Sequence, residues 1–146
     1  MTIPLSANPG EQRTFVARLA ALSDAAAFAQ RFCERHAVDL HIAMRLTLVI
    51  EELFSNTIRH GYRAEGEMPI RIGLSIDDGK IALFYEDAAP RHDPLARFTE
   101  SRNAEPAPVE SRPVGGLGVI LVNVLAEAAR YAYEDGCNRL WLKLRG

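Results

Sequence analysis

Residues 48–62 read Leu48-Val49-Ile50-Glu51-Glu52-Leu53-Phe54-Ser55-Asn56-Thr57-Ile58-Arg59-His60-Gly61-Tyr62, and the period of this stretch decides the fold. Apolar residues recur at helical spacing from Ile42 through Leu46, Val49, Ile50 and Leu53 to Thr57, which predicts an amphipathic helix over 40–60. Asp39 caps its start and Gly61 stops it. Taking Glu52 as zero, the apolar stripe centres near ~120° on the helical wheel and Asn56 falls near ~40°. Glu52 and Asn56 therefore share the border of the buried face, where a cleft can open beside a core. Glu51 falls opposite and is expected to face water. A carboxylate can act as a base there, while the amide oxygen of Asn56 suits a hard cation such as Mg²⁺. The plainer alternative is a solvated polar flank.

Working outward, 25–36 reads as a second helix. It is capped by Ser23 or Asp24, with Ala25, Phe28, Ala29 and Phe32 inward. Residues 13–19 alternate around Phe15, Ala17 and Leu19 as an edge strand, after a loose arm over 1–11. On the other side the period drops to two. Ile70, Ile72, Leu74 and Ile76 alternate over 69–76, and Ile81, Leu83 and Tyr85 over 80–86, joined by an Asp78-Gly79 hairpin turn. Residues 99–114 carry three prolines, three glutamates and two arginines and read as a loop. A helix over 119–130 and a closing hairpin follow, with strands 131–134 and 138–144 around Asp135-Gly136 and Leu140, Leu142 and Leu144 inward. These elements predict an α+β two-layer sandwich, with a mixed, mostly antiparallel sheet and helices on one face.

The chain of 146 residues is 48% hydrophobic and 25% charged, with a net charge of −2. That is one soluble domain by size and composition. It offers no electrostatic attraction to nucleic acid or an anionic membrane. No apolar run is long enough to span a bilayer and no signal pattern opens the chain, so the expected setting is cytoplasmic. Cys33 and Cys137 lack metal-ligand spacing and read as reduced thiols.

Two further signals carry chemistry. Gly115-Gly116-Leu117-Gly118 lies at a loop-to-helix junction, where close backbone amides and a helix N-terminus suit phosphate. The same glycines can also serve only to start the helix tightly. Asp87 sits just past a strand, where a carboxylate can accept a hydrogen bond from an exocyclic amine such as that of adenine. Its alternative is a turn aspartate before Pro90.

Taken in order, these residues resemble the ATP-binding domain shared by gyrase, MutL and sensor histidine kinases. More narrowly, they resemble the bacterial anti-sigma factor serine/threonine kinases, over about residues 12–144. Glu52-x-x-x-Asn56-x-x-x-His60-Gly61-Tyr62 is similar to the subfamily's first box. Asp87, Pro90, Asp93 and Pro94 are similar to its second, and 115–118 with Leu121 and Val122 to its third. Arg130-Tyr131 and the closing hairpin match as well. The resemblance implies the histidine-kinase-like ATPase fold and Mg·ATP as ligand. It makes Glu52 the general base, Asn56 the Mg²⁺ ligand and 95–114 a lid over the nucleotide. Arg102 and Arg112 in that loop can reach a γ-phosphate, the plainer alternative being solvated loop arginines. The implied acceptor is a serine or threonine of an anti-sigma antagonist. A sigma factor is the sequestered partner, and homodimerisation is implied too.

The departures are Ala89 for the box glycine, His92 for phenylalanine, Glu127 for aspartate, and Trp141 for a small hydroxyl residue near the adenine. Ala89 and Trp141 together define the alternative, a docking switch that keeps the fold without nucleotide. A detached histidine-kinase catalytic domain fits less well, because no dimerisation helices are present. His60 reads as a helix-end residue interacting with the dipole.

Overall fold

The computed structural model describes residues 10–93 and 125–146. Five strands form one sheet in the order β1-β2-β3-β5-β4. They are β1 (Glu11–Val16), β2 (Pro69–Asp77), β3 (Lys80–Asp87), β4 (Ala126–Glu134) and β5 (Cys137–Leu144). All four pairings are antiparallel. The helices α1 (Leu22–Arg35) and α2 (Leu40–Asn56) pack on the face carrying Ile70, Ile72, Leu74, Leu83, Leu140 and Leu142, all buried. The α+β two-layer arrangement is the expected one.

The alternation that predicts the strands is also what holds the layers together. Phe15 from β1 meets Phe28 of α1 and Phe54 of α2 edge-on, with ring centroids 6.0 and 6.4 Å apart, the favoured geometry for aromatic quadrupoles. Both hairpins turn on Asp-Gly pairs with left-handed backbone. The φ values are 54° and 76° at Asp78-Gly79, and 53° and 75° at Asp135-Gly136. That twist matches the strands they join.

Several boundaries differ from expectation. Glu11 belongs to β1 and pairs with Arg35 at 2.6 Å, so the arm is shorter than 1–11. Leu19 leaves the edge strand for a 3₁₀ turn, Leu19–Ala21, which feeds α1 directly. Ala21 is therefore the N-cap, and neither Ser23 nor Asp24 caps the helix. Asp39 does cap α2, accepting from the His41 amide at 2.8 Å. Of the helix expected over 119–130, residues 126–130 are strand. Alanines with high helix propensity pair instead with the free edge of β5, which satisfies the backbone of both strands.

The end of α2 is the informative departure. The helix does not stop at Gly61; it widens into a π-helical turn, Thr57–Tyr62. The chain then leaves through Arg63 at φ 61°. Gly61 is needed for space, because a Cβ there would stand 3.0 Å from the Ala89 methyl and 3.3 Å from His92 Cε1. Tyr62 fastens the turn to the sheet, donating to the Pro69 carbonyl (2.7 Å) and accepting from the Ala88 amide (2.8 Å).

Candidate functional site

The π-helical turn and the ends of β3 and β5 enclose a cleft. Its lining includes Leu53, Asn56, Thr57, His60, Asp87 and Asn138. The cleft closes about 50 Å³, whereas small-molecule sites commonly hold ~300–1,000 Å³. The space enclosed among the described residues is smaller than a nucleotide occupies.

Asp87 is the centre of the cleft. It is 3% exposed, and a buried carboxylate must be hydrogen-bonded. Oδ1 accepts from Asn138 Nδ2 at 2.9 Å and from the Ala89 amide at 3.1 Å, and Oδ2 accepts from Thr57 Oγ1 at 2.8 Å. A carboxylate can accept about four bonds. Among the described residues, one acceptor position therefore remains on Oδ2.

Thr57 spends its single proton on Asp87, so the 2.6 Å contact between Thr57 and Tyr85 draws on the Tyr85 proton. The Tyr85 hydroxyl also lies 3.0 Å from the Leu53 carbonyl oxygen. Burial raises the Tyr85 pKa well above 10. The negative charge of Asp87 adds to that shift. The sign of the stability effect follows. Above pH ~10 the unfolded chain ionises this tyrosine and the folded chain does not. The stability due to burial is complete below that pH and is lost as pH rises toward the folded pKa. The expected slope is about 1.4 kcal/mol per pH unit for one proton. Between pH 9.5 and 11 the parent should lose about 1.3 kcal/mol more stability in urea unfolding than Tyr85→Phe, because the unfolded tyrosine is only partly ionised at the lower pH. Equal losses would show that Tyr85 ionises freely in the fold.

Asn138 holds the opposite wall. Among the described residues, Nδ2 faces only acceptors: Asp87 Oδ1, the Ala89 carbonyl (3.0 Å) and the Pro90 carbonyl (3.2 Å). Among the same residues, Oδ1 faces only donors: the Tyr131 hydroxyl (2.6 Å) and the His92 amide (3.0 Å). The network thus fixes the orientation of the amide. Asn138 ties β5, β4 and the segment after β3 to the one carboxylate.

The structure brings Asn56, Asp87, His60 and His92 to the cleft. His60 stands on its wall rather than serving only as a helix end. Glu52 lies one turn before Asn56, half-buried, and is not among the lining residues. Glu51 is on the opposite side of α2, half-buried beside α1 rather than fully in water. Ala89 is buried with no left-handed backbone, so its methyl is accommodated against Gly61 without strain. Trp141 is not near the cleft. It alternates with the inward Leu140 and Leu142, stacks on Phe84 with centroids 5.5 Å apart on the outer face of the sheet, and lies under Arg130. Gly115, Gly116, Leu117 and Gly118, the loop 95–114 with Arg102 and Arg112, Pro94, Leu121 and Val122 lie outside the described residues.

Sequence reading did not single out Asn138 or Tyr85, and it counted Thr57 only as part of the apolar stripe. The signal for Asn138 was present: it continues inward the alternation of Leu140, Leu142 and Leu144, and a polar residue at an inward strand position needs partners.

Among the described residues no helix is long and apolar enough to cross a membrane. The profile of the histidine kinase-like ATPase domain matches residues 15–144. The serine-protein kinases RsbW of Listeria monocytogenes (strain HCC23) and Listeria innocua are each 24% identical over 104 residues. Those matches cover 67% of this chain and 63% of the relatives' length. The crystal structure of the SiaB–SiaC complex from Pseudomonas aeruginosa contains a chain with the same fold. Its TM-score is 0.63 at 14% identity, covering 92% of this chain and 88% of that one.

Proposed function

The chain belongs to the histidine kinase-like ATPase domain family, and from that premise we propose that it binds Mg·ATP and phosphorylates a serine or threonine of a protein partner. The RsbW relatives are serine-protein kinases; on the resemblance to anti-sigma factor kinases, the partner in this reading is an anti-sigma antagonist, and the chain regulates a sigma factor. The observation that carries this reading is the buried Asp87 carboxylate with one acceptor position left in a cleft, which suits an exocyclic purine amine. Asn56 lines the same cleft, and in this reading its amide oxygen ligates Mg²⁺. Mg²⁺ typically takes only one or two protein ligands beside the phosphates.

Bound Mg·ATP would supply the γ-phosphoryl group, parting from the β–γ bridging oxygen as ADP forms, with the cation neutralising phosphate charge. The chain's own work is positioning. Asp87 orients the base, Asn138 and Thr57 hold Asp87, and Glu52 takes the proton of the acceptor hydroxyl. The glycine turn 115–118 is assigned to the phosphates.

A second reading is favoured by the small volume of the cleft: a docking switch that binds protein and no nucleotide. Calorimetric titration with Mg·ATP separates the two. Saturable binding is expected in the parent, lost in Asn56→Ala. It should stabilise the fold by about 2.7 kcal/mol at a hundredfold excess over Kd. An absence of heat and of thermal stabilisation up to millimolar Mg·ATP would retire the kinase reading.

A further inference from the structure

The exposed side of α2 carries a feature that the cleft does not use. Leu40, Met44 and Leu48 are 71, 57 and 43% exposed. Their spacing of four residues makes one ridge. With α1 they flank a groove of about 510 Å³, where the small side chains of Ala37, Ala43 and Thr47 leave room for close approach. The only charged residues among its described lining are Glu34 and Glu51. Large exposed apolar side chains grouped in a groove mark an interaction surface. An acidic border on that groove selects a cationic guest. Three apolar side chains at this spacing match the anchors by which an amphipathic helix is held in a groove. Counting on by fours from Leu48 gives Glu52 and then Asn56, so the ridge runs along α2 toward the cleft.

We propose that this groove docks an amphipathic helix of the partner protein, apolar on one face and bordered by lysine or arginine. The docked protein is the phosphoryl acceptor, and that identity rests on the kinase reading. The groove then holds the acceptor while its hydroxyl-bearing segment reaches Glu52 at the far end of the same helix. Glu34 and Glu51 set the orientation and the rate of encounter more than the strength of the complex.

The test uses the full chain and a fluorescein-labelled synthetic peptide of about 18 residues, with leucines at helical spacing and lysines beside them. Anisotropy should show saturable one-to-one binding that weakens with added salt. Met44→Lys, at an exposed position where folding tolerates change, is expected to weaken binding about tenfold or more through loss of an apolar anchor. Glu51→Gln should weaken it a few-fold, mainly at low salt. Asn56→Ala should bind the peptide as the parent does, and Met44→Lys should bind Mg·ATP as the parent does. Equal peptide binding by parent and Met44→Lys overturns the proposal. So does a parent that sediments as a dimer and is dissociated by Met44→Lys, since a second copy would then fill the groove. A chain that binds Mg·ATP but not the peptide overturns the groove alone, and one that binds neither overturns both readings.

Discussion

Asn138→Leu is expected to abolish Mg·ATP binding and to lower the free energy of unfolding by about 3 kcal/mol. The side chains are of similar size, so little cavity is created. What changes is the hydrogen bonding. Asp87 Oδ1 keeps only the Ala89 amide, the Ala89 and Pro90 carbonyls lose a shared donor, and the Tyr131 hydroxyl and the His92 amide lose their acceptor. Leaving one buried polar group unpaired costs ~1–3 kcal/mol. The exposed members of this set can turn to water, whereas Asp87, 3% exposed, is largely cut off from it. Urea unfolding and calorimetric titration of the same variant check both effects. A loss below ~1 kcal/mol with nucleotide binding retained would show that Asp87 is held without Asn138.

Glu52→Ala carries the largest expected effect on activity. As a general base it should contribute ~10²–10⁴-fold to transfer. ATP binding should persist, because Asp87, Asn56 and the cleft walls are untouched. Stability should shift by no more than ~0.5 kcal/mol, as for other substitutions at half-exposed positions outside a network. The measurement is single-turnover transfer of labelled phosphate to an acceptor at saturating Mg·ATP. Unchanged transfer would remove Glu52 from the chemistry and point to water or another side chain as the proton acceptor.

The layers and most elements were legible because helical and strand periods follow directly from which side chains are buried. Leu46, Val49, Ile50 and Leu53 are buried as the stripe requires, and both Asp-Gly pairs turn hairpins. Local pattern failed where tertiary pairing decides. The alanines of 126–130 follow the free edge of β5 rather than their helix propensity. Gly61, the natural helix stop, is used for its missing Cβ against Ala89, and the helix widens past it. At the site, Asn56 and Asp87 were legible as polar residues at the edges of apolar patterns. Trp141 was placed beside the ligand on resemblance, although strand alternation puts it on the outer face. The Asn138 bonds to Asp87 join residues 51 apart in sequence, a closure that no local period encodes.

The sheet order has a consequence for how the cleft comes to exist. Two seams, β2–β3 and β4–β5, are hairpins closed by two-residue turns. The seam between β3 and β5 joins distant parts of the chain and carries a much greater loop-closure entropy. Asp87 stands on one side of that seam and Asn138 on the other. Neither half of the polypeptide contains the cleft, and its assembly coincides with the meeting of two separately closable hairpins, so an intact Asp87–Asn138 contact reports a completed fold.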